Sequence, residues 1–115
     1  MDQQDSIELL MSLMRASRTE YERYLAQGKT FGPARALRAT NQQVLDFIED
    51  TPFETAPELM SAMKDLQEHL RDWARIWDQE AKLRAPADED EFIFTGYKTY
   101  PRHLDALLAE RRSIS

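Results

Sequence analysis

Residues 59–77 read Leu59-Met-Ser-Ala-Met63-Lys-Asp-Leu66-Gln-Glu-His-Leu70-Arg-Asp-Trp73-Ala-Arg-Ile-Trp77. Leu59, Met63, Leu66, Leu70, Trp73 and Trp77 recur at steps of four, three, four, three and four residues. That spacing keeps an apolar stripe on one side of a helix and lets a second helix pack along it. Burying each of these side chains contributes about 1.5–3 kcal/mol. The exposed pairs Lys64–Glu68, Asp78–Lys82 and Glu80–Arg84 add only about 0.2–0.5 kcal/mol each. The stripe therefore decides the fold. It predicts a helix over residues 56–83, roughly 42 Å long at 1.5 Å per residue. Two start signals with capping-box spacing precede it, Thr51-Pro-Phe-Glu54 and Thr55-Ala-Pro-Glu58. The second is read as the start.

The rest of the chain reads as partners for that stripe. A first helix is expected over residues 6–27, opened by Asp5 with Glu8 three residues later and stopped by Gly28. Its face is Ile7, Leu10, Met14, Tyr21, Tyr24 and Leu25, with the small Ser17 between. A loop rich in Gly and Pro leads to a second helix over residues 33–49, with Pro33 in its first turn. Leu37, Val44, Phe47 and Ile48 form its stripe. Large apolar groups are scarce between Leu37 and Val44, so looser packing is expected there.

Pro86 heads an acidic linker that ends at Glu91. Phe92-Ile-Phe-Thr-Gly-Tyr-Lys-Thr-Tyr-Pro101 has no helical period and is expected to be extended or turned. A short last helix over residues 101–112 would face Leu104, Leu107 and Leu108 inward. The expected fold is all-α. It is an antiparallel helical bundle of three long helices plus a short C-terminal helix, with an aromatic loop between the last two, in one domain spanning residues 1–115. Leu9, Leu13, Met60 and Ile76 lie outside the single stripes, which predicts a homodimer.

Composition narrows the function. The absence of Cys excludes disulfides, thiolate metal sites and Cys nucleophiles. No apolar run approaches the roughly 20 residues of a membrane span. The acidic, polar start MDQQDSIE does not resemble a signal peptide, so the expected location is cytoplasmic. The net charge of −6 is unevenly placed: residues 49–91 hold thirteen acids and five bases. A field of that sign repels nucleic acid and anionic membranes and favours a basic protein partner.

No catalytic constellation is legible, and no cofactor or metal is expected. The leading expectation is a non-enzymatic protein–protein interaction module: a small regulator, adaptor or inhibitor of the immunity or antitoxin kind. Its candidate contact surface is the aromatic set Phe92, Phe94, Tyr97 and Tyr100 with the acidic run Asp88, Glu89, Asp90 and Glu91. Two alternatives come from other classes. One is an interhelical metal or hydrolytic site built on His69, Asp65 and carboxylates of other helices. The other is a weak nucleic-acid-binding regulator using Arg35 and Arg38 at the start of the second helix.

Overall fold

In the computed structural model the protein is an all-α antiparallel bundle of four helices, and the structure describes residues 3–94 and 100–114. The helices are α1 (Gln3–Ala26), α2 (Phe31–Asp50), α3 (Pro57–Arg84) and α4 (Leu104–Ile114). The molecule measures 46 × 23 × 23 Å, so its length is that of α3 alone. No helix among the described residues is long and apolar enough to cross a membrane.

The stripe that opens the sequence reading is the spine of the core. Leu59, Met63, Leu66, Leu70 and Trp77 of α3 are buried and Trp73 is half-buried. Ile7 and Leu10 of α1, Val44, Leu45 and Ile48 of α2, and Leu104 and Leu108 of α4 close around the first part of α3. α1 packs along α2, and α2 along α3; α4 lies between α1 and α3. Pairing of Glu49 with Arg71, and of Phe31 with Trp77, shows that α2 and α3 run in opposite directions. No Cα of α1 comes within 8 Å of one in α3. These two helices are diagonal neighbours across a trough floored by α2.

The helix ends follow local chemistry, with four departures from expectation. α1 stops as predicted: Gly28 is left-handed (φ 79°), and Lys29 N–H donates to Tyr24 O at 2.8 Å while Gly28 N–H donates to Leu25 O. This is the paired arrangement of a Schellman stop. However, α1 begins at Gln3, so Asp5 lies within its first turn and does not cap it. α2 begins at Phe31, two residues before Pro33. Its first N–H groups have no side-chain cap. Phe31 N–H instead donates to Asp90 O, and Gly32 N–H to Asp88 O, both at 2.9 Å. A chain segment over fifty residues away satisfies donors that a helix start leaves open.

α3 begins at Pro57 with Ala56 at its cap and no side-chain hydrogen bond there. The expected Thr55 capping box does not form: Thr55 Oγ1 is buried without a hydrogen-bond partner among the described residues. At its other end Ala85 is left-handed (φ 43°), and its N–H donates to Ala81 O at 2.9 Å. α4 starts at Leu104, later than expected, after a turn in which Leu104 N–H donates to Pro101 O.

Candidate functional site

α4 has 11 residues and α3 has 28. The fourth helix therefore roofs only the half of the trough that holds Ile7, Leu10, Leu59 and Leu66. Over the other half no helix lies between α1 and α3 among the described residues. The segment 88–94 crosses there instead, and a cleft of about 540 Å³ remains open.

Segment 88–94 is fastened by backbone. Thr30 and Glu91 form an antiparallel bridge, and Phe92 N–H donates to Lys29 O at 2.8 Å. With the two bonds to Phe31 and Gly32, this fixes the acidic run against the start of α2. Arg35 is ion-paired with Asp88, and the Asp90 carboxylate accepts Ala87 N–H at 2.8 Å. Glu89 and Glu91 are exposed.

Beyond the clasp the chain turns inward. Phe92 is 1 % exposed and lies against Phe31 and Trp77 at centroid distances of 5.1 and 5.2 Å. The Arg84 guanidinium covers its ring at 5.7 Å. The Tyr24 hydroxyl donates to Phe92 O. Burial, then the neighbouring Tyr21 and Glu91, push the Tyr24 phenol up from its ordinary pKa.

The predicted contact residues are thus divided. Phe92 is a core residue, because its ring fills the gap between α2 and α3 that no helix closes. Phe94 is half-buried against Trp73, with centroids 5.9 Å apart. Tyr100 is half-buried and meets His69 edge to face at 5.6 Å. Tyr97 lies outside the described residues. Asp88, Glu89, Asp90 and Glu91 are all exposed.

The alternatives are placed as follows. His69 is half-buried and stands beside Tyr100, and no group of three or more His, Asp or Glu able to hold a metal occurs among the described residues. Arg35 pairs with Asp88, while Arg38 pairs with Asp78 and Gln42, so both are tied to their own chain. Of the residues invoked for self-association, Ile76 is buried within the chain and Leu13 half-buried, while Leu9 and Met60 are exposed.

The cleft is the element the sequence reading missed. Ala34, Leu37 and Asn41 of α2 form its floor, where the Ser17 hydroxyl donates to Asn41 Oδ1. Tyr21, Tyr24 and Leu25 of α1 form one wall, and Leu70, Trp73 and Trp77 of α3 the other. Ile93 and Phe94 edge its mouth. Tyr21, Leu25 and Ile93 are over two-fifths exposed, although each lies on an apolar face or among aromatics. Two signals pointed here: the small Ser17 inside an apolar stripe, and the shortage of large groups between Leu37 and Val44.

No family model matches the chain, and no curated protein and no solved structure is significantly similar to it.

Proposed function

We propose that this chain is a non-enzymatic protein-interaction module, a small regulator, adaptor or inhibitor, that binds a basic partner with the end of the bundle α4 leaves uncovered. The observation behind this reading is the clasp. Three backbone hydrogen bonds, two of which form the Thr30–Glu91 bridge, hold residues 88–92 against the start of α2 while the acidic side chains stay exposed. An acidic edge held in one conformation loses little freedom on binding, and it speeds encounter with an opposite charge. Exposed Leu25 and Ile93 supply apolar contact near it, as the desolvated centre of an interface requires. Phe92 has no part in the contact, since its ring is internal. An immunity-like or antitoxin-like inhibitor of a basic protein is the sharper form of this proposal.

The test is co-purification with the full chain as bait. A basic protein should be retained in fixed ratio and released by salt. It should be lost when Glu89 and Glu91 become Gln and Leu25 becomes Ser, with helicity unchanged by circular dichroism. Retention by that triple variant would remove the acidic edge from the reading. Elution of the wild-type chain alone at every ionic strength would remove the reading itself.

A further inference from the structure

An acidic protein has an open cleft that no Asp or Glu lines among the described residues. The cationic side chains in its lining are Arg18 and Lys29. Arg18 is engaged by Asp105 at 2.9 Å. Lys29 forms no ion pair among the described residues, and it sits at φ 59°. That left-handed conformation suits Gly or Asn far better than Lys. A lysine is thus kept in an unfavourable backbone position at the mouth of an apolar cleft.

The walls are chiefly aromatic, and both tryptophans of the chain, Trp73 and Trp77, are in them. The Trp77 indole N–H is buried and has no acceptor among the described residues. A volume of about 540 Å³ is far above a packing void and within the range of small-molecule sites, which pair apolar walls with a few placed polar groups.

We propose that the cleft binds one small anionic aromatic molecule, an aryl carboxylate whose rings lie between Tyr24, Trp73 and Trp77 and whose carboxylate meets Lys29. Flat rings fit walls made of other rings, in the offset or edge-to-face arrangements aromatic pairs favour. The carboxylate end is selected by an ammonium with no carboxylate of the cleft lining to compete for it. An amine is disfavoured by the same sign of charge at Lys29. This assignment does not rest on the protein-contact reading, because the ligand enters the cleft and the acidic edge lies outside it.

The test is calorimetric titration of the full chain with naphthoate, naphthamide, naphthylmethylamine and decanoate, with tryptophan fluorescence as second readout. Naphthoate should bind one per chain and perturb the emission of Trp73 and Trp77. It should bind about fivefold tighter than the amide and tighter still than the amine, as a partly exposed charge contact allows. Lys29→Asn removes the charge but suits the left-handed backbone, so the variant should melt no lower than the wild type. It should lose that fivefold preference while binding the amide unchanged. Equal binding of acid and amide by the wild type, no effect of Lys29→Asn, or no naphthoate binding by the folded chain would each overturn the proposal. Decanoate binding tighter than naphthoate would overturn the aryl assignment.

Discussion

The two halves of the bundle bury their surface by different means. In one half four helices meet, and the most buried side chains are aliphatic: Ile7, Leu10, Leu66, Leu104 and Leu108 are all at most 1 % exposed, with the Phe47–Phe53 pair at the edge of that cluster. In the other half three helices meet among the described residues. There Phe31, Trp73, Trp77, Phe92 and Phe94 form a chain of ring contacts 5.1 to 5.9 Å apart. Rings are wide enough to span the gap a missing helix leaves, but they do not interdigitate to close it. The contrast is one of closure: the closed half buries its side chains almost completely, and the open half leaves Tyr21, Leu25 and Ile93 over two-fifths exposed.

The sharpest way to break that comparison is to truncate one side chain in each half. Leu66→Ala should lower unfolding free energy by about 2–5 kcal/mol in urea titration, because the three helices packed around α3 cannot collapse into the space. Phe94→Ala, in the open half, should cost about 1 kcal/mol, near the average for point substitutions. Equal losses would mean that the two halves are one core.

A smaller effect sharpens the picture from the end of α3. Ala85 sits in the left-handed region (φ 43°) where a Cβ is disfavoured. Ala85→Gly should therefore raise stability by about 1 kcal/mol in the same assay, showing that the open half is not at its optimum.

A pH-dependent effect lies at the seam between the halves. Burial, and next the Asp105 carboxylate, push the Tyr100 hydroxyl up to about 12 from its ordinary 10.0. The unfolded chain therefore loses this proton first as pH rises. The stabilisation is whole below pH 10.0 and is lost between there and about 12, the slope following the proton difference between the two states. Tyr100→Phe should flatten stability over that window relative to wild type. A variant with the wild-type alkaline slope would show that Tyr100 is solvated.

Much of this could be read from residue order. The α3 stripe, the Gly28 stop, the loop between α1 and α2, and the inward Leu104, Leu107 and Leu108 are matters of spacing within single elements. Helix starts were less legible. The start of α2 is set by carbonyls of Asp88 and Asp90, and proximity in space over fifty residues leaves no mark in local pattern. The Thr55 cap failed for a related reason: capping-box spacing is necessary for the bond but does not orient the hydroxyl.

The aromatic segment shows the same limit. Its four rings look alike in sequence, yet Phe92 is internal and Phe94 and Tyr100 are half-buried. Which ring is covered depends on which gap it faces, and the gap belongs to α1, α2 and α3 together.

By itself the sequence determined that this chain is helical, how many helices it has and which sides of them avoid water, because periodicity and chain-breaking residues act over a few neighbours. Tertiary structure alone decided that the fourth helix covers half the trough, that a distant acidic turn caps α2, and that a cleft with no carboxylate among its described lining residues opens in an acidic protein. Those facts depend on differences in helix length and on contacts between distant segments, which no local pattern records.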